Sequence, residues 1–575
     1  MKRHRTFISE KYYSMLLAGS VTTFTSAAVI MVDALVGGAR LGENAAAGIS
    51  CVMPLYFIAS FFSMAISIGV PILYSHAMGG FDQQRADRFF GTGLSAALLS
   101  GAVLFLLAVS GGEICLSLYC SAPRVYTFAR DYLVWIRWAI LLMPVNYLIT
   151  GMVFADGGGG VSTAANIIEG AGKLVLSVLL CPVFGTAGLG LASVLSLLLS
   201  SLVAMTHFFS DRHSLRLNLF FSGHMLLEIL RYSIVDACSY LFMGLFGVFL
   251  TIVVSVWLAP SMFILVSVIL LIREMQIAFD GIGEAVTPVI TMYQGEQNHA
   301  GIRNIWRMAG STAWIEGIVA TVLLILLAPL IADIFGIQDP AVRNCAIRGI
   351  RLCALSLPFV CRMFLDTSYY ILADRIPLGI LVSALRDIIV SAVLILPGCI
   401  YGRADGLFLA LAASPVIGYA LSVLYVRIRY GKGVYPLFLE DSADKPDGYL
   451  FEFEVTPENI VHVQGELENA LKEAGCSAKS SMRVTLLFEE LFMMIYEKNP
   501  GMVVLAECFI KPGEKIYMTT KDNGVLFDPT DSDLEVSSLR SYVLSSIMSR
   551  YESRKTHILT LRFNRNAFDV TEVEI

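Results

Sequence analysis

The chain has 575 residues, of which 56% are hydrophobic and 15% are charged, and its mean hydropathy is +0.69. Soluble domains usually carry about 25% charged residues, so this composition excludes an ordinary soluble protein and indicates that lipid surrounds most of the chain. The formal net charge of −6 gives no electrostatic reason to expect a nucleic-acid partner. The eleven cysteines show no metal-binding spacing and are interpreted as small core side chains, with a Cys115–Cys120 disulfide as a minor alternative.

The first residues, MKRHRTFISEKYY, are basic and lead directly into a long apolar stretch. This stretch is too long for the apolar region of a secretion signal and has no convincing cleavage site, so we expect a tail followed by a first membrane span. Apolar segments of about 20 residues then recur up to residue 430, and each is long enough to cross a bilayer. The twelve predicted spans are residues 12–37, 46–75, 89–111, 128–154, 161–183, 187–209, 229–258, 261–293, 309–335, 347–372, 378–399 and 404–426.

Basic residues concentrate in alternate connections between these spans. Cytoplasmic connections usually carry the excess of Lys and Arg, so the pattern predicts a multi-pass protein of the plasma membrane with both termini in the cytoplasm. Arg124 and Arg130, in the connection after the third span, oppose the trend. The residues that support it are Lys2, Arg3, Arg5, Arg85, Arg88, Arg212, Arg216, Arg303, Arg307, Arg427, Arg429 and Lys432.

The two halves of the span region resemble each other. The segment IGVPILYSHAMGG around Pro71 is similar to IGEAVTPVITMYQGE around Pro288. FADG at Asp156 matches LADR at Asp374 at nearly the same offset along the chain, and GLGLAS from Gly188 matches GLFLAL from Gly406 at that offset too. These pairs of similar segments, all separated by nearly the same number of residues, indicate two six-span repeats. In transporters with this architecture the substrate path lies between the halves.

The composition changes after residue 430. Residues 433–447 are polar and contain prolines, as is typical of a linker. In residues 448–575, YLFEFEV, VVLAECFI, KIYMTTKD and HILTLRFN predict strands, and ENIVHVQGELENALKEAG and SSMRVTLLFEELFMMIYEK predict helices. This mixture indicates a soluble α/β sandwich. The predicted organisation is therefore an N-lobe (1–220), a C-lobe (221–432), the linker and this domain.

Ionisable side chains inside membrane spans are costly and mark functional positions. Asp33 is the clearest case, because a carboxylate inside an apolar span can exchange a proton or hold Na⁺; the alternative is an acid solvated at the span end. Glu169 and Lys173 are spaced i, i+4, which fits a purely structural pair equally well, and Glu169 corresponds to Asp387 at the offset of the repeat. Glu274 lies next to Arg273 in the eighth span, and Arg386 lies next to Asp387. The candidate transport and ion-coupling residues are Asp33, Glu169, Lys173, Asp236, Arg273, Asp366 and Asp387.

The run DALVGGARLGENAAAGIS, followed by MAISIGVPILYSHAMGGFDQQRADR, resembles the first two spans of the multidrug and toxic compound extrusion (MATE) family, and GIGEAVTPVITMYQGEQN resembles the eighth. The resemblance covers about residues 10–430. It implies an all-α membrane fold of twelve helices in two six-helix lobes, which exports organic, cationic amphipathic compounds by Na⁺ or H⁺ antiport. Asp33 takes the position of the coupling acid and of a Na⁺ site. Many members also have an Asp in the fifth span, where this chain reads KLVLSVLLCPVFGTAG.

In the C-terminal domain, FEELFMMIYEKN followed by KDNGVLFDP resembles the ATP-binding module of histidine kinases and anti-sigma-factor kinases. The resemblance implies that Glu490 is the general base and that Asp522 and Gly524 hold the adenine. Met494 replaces the family's metal-binding Asn, and VSSLRSYVLSSIMSRYES stands without glycine where a glycine-rich box is expected. We expect a degenerate module that no longer transfers phosphate and that binds ATP or a regulatory protein. The DNG sequence alone also fits a simple turn.

These features favour a secondary-active efflux transporter, not an enzyme, which needs no cofactor besides its coupling ion. No Walker motif supports an ATP-driven pump. Two alternatives remain open. A lipid-linked precursor flippase of the same superfamily would often have more than twelve spans. A membrane receptor that signals through its C-terminal domain would be expected to keep the metal-binding Asn that Met494 replaces.

Overall fold

The structure is a computed structural model, and the described residues fall into two compact units. One unit consists of Ser20–Gly281 and Thr312–Tyr435, and the other of Met1–Gly19, Ile282–Ser311 and Pro436–Ile575. The predicted linker, residues 433–447, lies outside the described part of the chain. The described residues are 7–571 except 80–82, 121, 157, 210–214, 216–217, 260–261, 296–297, 432–447, 514, 526, 528, 530–549 and 559–560.

Helices fill the described chain up to residue 430, and all described strands follow residue 448. The α-helices are α1 (Phe7–Leu41), α2 (Glu43–Ser67), α3 (Gly69–Gly79), α4 (Gln83–Tyr119), α5 (Pro123–Ala155), α6 (Gly159–Met205), α7 (Gly223–Trp257), α8 (Ile264–Met275), α9 (Gly281–Gly295), α10 (His299–Ile334), α11 (Pro340–Ala354), α12 (Leu357–Leu372), α13 (Ile376–Ala384), α14 (Val390–Tyr430), α15 (Pro457–Glu473) and α16 (Ala478–Lys498). The strands are β1 (Tyr449–Glu454), β2 (Leu505–Lys511), β3 (Lys515–Asp522), β4 (Arg550–Ile558) and β5 (Leu561–Thr571).

Seven of the described helices are long and apolar enough to cross a membrane, and the number becomes eight if the bent pair α11 and α12 forms one span. Large apolar side chains on these helices are exposed, for example Leu106, Leu326 and Val393. Such a surface would favour aggregation in water, whereas lipid is a matching solvent for it. The prediction of a multi-pass membrane protein is confirmed.

Helix α6 is a hairpin of two antiparallel arms. Its 47 residues would extend about 70 Å if straight, more than twice the thickness of a bilayer's hydrocarbon core. Gly185 has φ 62° and ψ −140°, a left-handed conformation that favours glycine, and the chain reverses there. The backbone of Gly188 consequently packs against the carbonyl of Leu180. In a continuous helix these two residues would be about 12 Å apart.

Helix α14 contains the equivalent reversal in the second half of the helical region. Arg403 has φ 52° and ψ −133°, and the backbones of Gly398 and Gly406 are in contact across the turn. The turn residues Gly185 and Arg403 are separated along the chain by the same offset as the predicted repeat. Helix α7 likewise begins and ends at nearly that offset from the two ends of α1. The backbone therefore agrees with a repeat that the sequence motifs indicated.

The five C-terminal strands form one antiparallel sheet in the order β1-β2-β3-β5-β4. In this register Glu507 on β2 lies opposite Glu452 on β1 and Lys521 on β3, whereas Cys508 lies opposite Phe451. Side chains alternate between the faces of a strand, so the charged residues and the Cys508 row occupy opposite faces of the sheet.

Helices α15 and α16 pack on the face that carries Cys508. Thr456 and Ser477 precede these helices, and each side-chain oxygen accepts a hydrogen bond from a first-turn amide, at 3.3 and 3.1 Å. Leu487 and Leu491 of α16, spaced i, i+4, are fully buried in the same core cluster as Cys508. The structure thus shows helices on one face of a sheet; residues 530–549 of the predicted sandwich lie outside the described part.

One local prediction is wrong, and one minor alternative does not hold. HILTLRFN was expected to form one strand, but its residues divide between the end of β4 at Ile558 and the start of β5 at Leu561, because the alternating pattern runs through a hairpin. The Cys115–Cys120 disulfide is absent, and both thiols are free. The Cys120 sulfur instead lies 3.4 Å from that of Cys51. Most of the cysteines are buried, as expected of small core side chains.

Candidate functional site

Asp33 is fully buried, and side chains from α5 and from both arms of α6 hold it. The Lys173 ammonium lies 3.0 Å from Asp33 Oδ2. The hydroxyls of Tyr132 and Ser193 donate to the same oxygen at 2.6 and 3.1 Å, and the Ser177 hydroxyl donates to Oδ1 at 3.4 Å. All of these side chains are buried. The carboxylate therefore has protein partners in place of water, which offset the cost of burying its charge.

The α6 hairpin explains how residues distant in sequence meet at Asp33. Ser177 precedes the turn residue Gly185 by eight positions, and Ser193 follows it by eight, so the antiparallel arms bring both hydroxyls to the same level. Lys173 lies one helical turn before Ser177 and reaches the same carboxylate. Since the exposed fraction of Asp33 is 0%, the structure does not place it as a solvated acid at a span end.

Two further carboxylates lie near the Lys173 ammonium. Glu169 is buried, accepts a hydrogen bond from Asn146 at 3.2 Å and interacts electrostatically with Lys173. Asn146 in turn accepts a hydrogen bond from the Ser201 hydroxyl at 2.9 Å. Glu274, also buried, interacts electrostatically with both Lys173 and Asp33. The cluster therefore contains three acids and one ammonium, and the ion pair shown in the structure is Lys173–Asp33.

A second cluster surrounds Arg386 in the other half of the helical region. Arg386 donates through Nε and Nη2 to the two oxygens of Asp387, at 2.8 and 2.9 Å, and its guanidinium carbon lies 3.6 Å from the centroid of the Phe364 ring. Arg386 and Asp387 lie in the π-helical segment Leu385–Ile389, and such segments are frequent at functional sites. Arg273 donates to the carbonyls of Arg386 and Asp387, each at 3.2 Å, and to the Ser391 hydroxyl at 2.8 Å.

The remaining predicted acids differ in their partners. Asp236 interacts electrostatically with Asp280 and Arg386 and so belongs to the second cluster. Asp366 is buried and forms an ion pair with Arg362, with 3.1 Å between Nε and Oδ1. The structure thus groups Asp33 with Glu169 and Lys173, and it groups Asp236 and Arg273 with Asp387. Asp366 has its own basic partner.

Sequence reasoning missed the neutral members of the first cluster. Tyr132, Ser193 and Asn146 are of common residue types, and none breaks an apolar pattern as a charge does. A signal did exist, because Ser177 and Ser193 are placed symmetrically about Gly185. It becomes visible only once Gly185 is identified as the turn of a hairpin.

The first cluster is not built as a multi-carboxylate metal site. Within the described ranges, no group of three or more His, Cys, Asp or Glu side chains is arranged to hold a metal ion. Asp33 offers one carboxylate and is flanked by hydroxyl oxygens, which suit Na⁺, but the Lys173 ammonium already takes a cation's position at 3.0 Å. A Na⁺ ion or a proton at Asp33 would therefore compete with Lys173.

In the C-terminal domain, Asp522 is buried at the end of β3. Its Oδ1 accepts hydrogen bonds from the Gly524 amide and from Asn564 Nδ2, both at 2.9 Å. The Asn499 side chain, at the end of α16, accepts a hydrogen bond from the Val525 amide at 2.8 Å. The DNG segment is thus a turn closed by its own Asp, and α16 and β5 fix its position.

The other predicted nucleotide-binding residues are divided between the surface and the core. Glu490 is half-buried on α16. Met494, one turn later, belongs to the hydrophobic core cluster and is 3% exposed, so its side chain is not available to a metal ion. The segment at the position of the glycine-rich box, residues 536–553, lies largely outside the described residues.

Comparisons with known proteins support the resemblance to the MATE family. The MatE family model matches residues 19–183. The probable multidrug resistance protein YoeA of Bacillus subtilis (strain 168) is 27% identical over 198 residues; the match covers 32% of this chain and 42% of that protein, so the chain spans less than half of this relative.

The fold is that of solved MATE transporters. An inward-facing multidrug resistance MATE transporter of the MOP superfamily superposes with a TM-score of 0.63 at 16% identity, over 70% of this chain and 94% of its own. A MOP superfamily transporter from Pyrococcus furiosus, described as having a binding pocket of reverse polarity, superposes with a TM-score of 0.61 at 16% identity, over 72% and 95%. At this identity the likeness establishes the fold alone.

Proposed function

We propose that the chain is a secondary-active efflux transporter that exports organic, cationic amphipathic compounds in exchange for Na⁺ or H⁺. The observation that carries the proposal is the buried Asp33–Lys173 ion pair within a MATE fold. Buried intramembrane charges are costly and are kept where an ion or proton is handled. The cluster contains three acids and one ammonium, so loss of protons from the acids leaves it negative, which favours a cationic substrate.

In this proposal the Lys173 ammonium and the coupling ion compete for the Asp33 carboxylate. A proton or Na⁺ that binds Asp33 weakens the attraction between Asp33 and the ammonium, and Lys173 then turns to Glu169 or Glu274. Tyr132 and Ser193 hold Asp33 in place while its partner changes. The ion binds one arrangement of the cluster better than the other, and this differential affinity biases the inward–outward equilibrium.

We propose twelve spans in two six-helix lobes with both termini cytoplasmic. The hairpins in α6 and α14 give two spans each, α1 and the segment from α8 to α9 give one each, and the corresponding positions of the α6 and α14 turns support equal halves. Antiport of this kind needs two alternating arrangements of such halves.

Transport measured in proteoliposomes tests the proposal. Efflux of a fluorescent organic cation is expected under an imposed Na⁺ or pH gradient, and Asp33→Asn is expected to lower its initial rate at least about tenfold, because a neutral amide no longer holds the exchanged ion. Asp131→Asn is the control: Asp131 precedes Tyr132 on α5 but is exposed, so its rate should equal that of wild type. Equal rates for all three proteins under both gradients would rule out coupling at Asp33.

We also propose that the C-terminal domain is a regulatory module that binds ATP weakly without phosphoryl transfer. The similarity of the DNG segment at Asp522 to the adenine-binding motif of the kinase module supports adenine binding, for which the turn must open, and the burial of Met494 argues against a metal-dependent reaction. Binding of fluorescent ATP to the full chain is expected without Mg²⁺ and should weaken about tenfold in Asp522→Asn, because one acceptor for the adenine amino group is lost. Asp569→Asn, on the neighbouring strand, is the control. Mg²⁺-dependent turnover of ATP would contradict the proposal, and ATP binding that is equal in wild type and Asp522→Asn would remove Asp522 from the site.

A further inference from the structure

The charged face of the C-terminal sheet is buried, although α15 and α16 cover only the opposite face. Glu507 and Lys521 pair across β2 and β3, with 2.7 Å between Lys521 Nζ and Glu507 Oε1, and each side chain is 1% exposed. Antiparallel sheets with helices on one side often leave the other side to water, and charged residues are typical of that side. Here the charged side has a protein cover.

Tyr293, near the end of α9, belongs to this cover. Its hydroxyl donates to Glu507 Oε2 at 2.6 Å, and the Lys521 ammonium lies 4.5 Å from the centroid of its ring. The exposed fraction of Tyr293 is 0%. The carboxylate thus receives a hydrogen bond from Tyr293 and an ion pair from Lys521, and the ammonium also faces the aromatic ring.

The turn between α9 and α10 is built around the same tyrosine. The Asn298 amide donates to the Tyr293 carbonyl at 2.8 Å, and the buried Asn298 side chain accepts from the Gly301 amide at 2.8 Å. A Cβ atom at Gly301 would lie 2.7 Å from the Tyr293 ring, so glycine is required for this approach. Movement of Tyr293 would therefore also disturb the turn.

Burial of the neighbouring acid supports a water-poor face. Desolvation, together with the charge of Glu507, raises the pKa of Glu452 to about 7, against the opposing effect of Lys521. Glu452 lies opposite Glu507 on β1. Two acids side by side on one face need a cation, and Lys521 supplies it.

Strand β3 connects this face to the turn at Asp522. Lys521 and Asp522 are consecutive, so their side chains point to opposite faces; Lys521 contacts Glu507, and Asp522 contacts Gly524 and Asn564. A ligand that moved Asp522 would displace the β3 backbone and with it Lys521. The geometry therefore joins the candidate nucleotide site to the α9–α10 turn within a single strand.

We propose that Tyr293, Glu507 and Lys521 form a lock that anchors the C-terminal sheet to the α9–α10 turn, and that ATP at the Asp522 turn regulates transport through this lock. Helix α10 (His299–Ile334) is one of the helices that are long and apolar enough to cross the membrane. A lock that holds the α9–α10 turn therefore restrains the start of a membrane span. The regulatory part rests on the proposed transport function, whereas the lock itself does not.

Labelling of lysines on the full chain tests the lock. An amine-reactive reagent is expected to modify Lys521 slowly in the wild type. Labelling should be at least about tenfold faster in Tyr293→Ala, because the cover is lost, and faster to a smaller extent in Tyr293→Phe, which removes only the hydroxyl. Tyr496→Phe, at a partly exposed tyrosine of α16, should label like the wild type. Hydrogen exchange of α16 and β2 reports whether each variant keeps the domain folded.

Four results separate the parts of the proposal. Rapid labelling of Lys521 in the wild type, or equal labelling in Tyr293→Ala, overturns the lock. Labelling that does not change with saturating ATP overturns the link to Asp522. Efflux that is the same in Tyr293→Phe and wild type, while labelling differs, overturns regulation through the lock. Absence of efflux from wild type under either gradient overturns the proposed function and leaves the labelling result valid.

Discussion

Replacement of Lys173 by methionine is expected to destabilise the helical region by about 3–5 kcal/mol, because removal of one partner leaves a buried charge without compensation. Methionine keeps most of the aliphatic part of the side chain and removes the ammonium. The lost stability therefore comes from the buried Asp33 charge, which no longer has a charged partner. The hydroxyls of Tyr132 and Ser193 remain as donors, but neither carries charge. Efflux should fall together with stability.

The double variant Asp33→Asn/Lys173→Met identifies the cause. Removal of both charges should restore the free energy of unfolding to within about 1–2 kcal/mol of wild type, because a neutral pair has little desolvation cost. Unfolding can be followed through the five tryptophans, all of which lie on helices before residue 430 and four of which belong to the unit that contains Asp33. The double variant should remain stable but uncoupled, which would separate folding from transport.

An exposed ion pair provides the comparison. Arg348 and Asp405 are 3.2 Å apart, with side chains 61% and 66% exposed, so Arg348→Met should cost less than about 1 kcal/mol. If Lys173→Met costs no more than Arg348→Met, or if the double variant is as unstable as Lys173→Met alone, the ion pair does not dominate the energetics of this cluster.

Asp33 could be selected as a candidate from the sequence, because a charge inside an apolar span violates the hydrophobic pattern and must have a reason. The sequence also indicated the repeat, because similar motifs recur at nearly one offset in the two halves. The turn at Gly185 corresponds to that at Arg403, although the second residue is not a glycine. Patterns of this kind are local and can be read from a single chain.

The partners could not be predicted, because they depend on tertiary packing. Lys173 follows Glu169 by one helical turn, and this spacing suggested a local pair, yet the ion pair that forms is with Asp33, on a different helix and far away in sequence. Tyr293 and Glu507 are also remote in sequence and meet at the charged face of the sheet. Local spacing limits which contacts are possible, and packing selects among them.

Arg386→Met is expected to destabilise the helical region by about 3–5 kcal/mol, since Asp387 would lose its only bidentate partner among the described contacts. Arg386→Lys should still cost about 2–3 kcal/mol, because an ammonium cannot form two parallel hydrogen bonds to one carboxylate or stack on Phe364 as the planar guanidinium does. The π-helical segment that carries both residues should lose hydrogen-exchange protection in either variant.

Arg348→Lys is the matched control, because the same substitution there affects an exposed pair and should change the free energy of unfolding by less than about 0.5 kcal/mol. A wild-type stability for Arg386→Lys would mean that charge alone, and not the guanidinium geometry, holds the second cluster. The informative quantity is therefore the loss in free energy of unfolding for Arg386→Lys relative to that for Arg348→Lys. A large cost for lysine at residue 386 would identify the flat, forked shape of arginine as the feature that keeps Asp387 and the carbonyls bound by Arg273 in register.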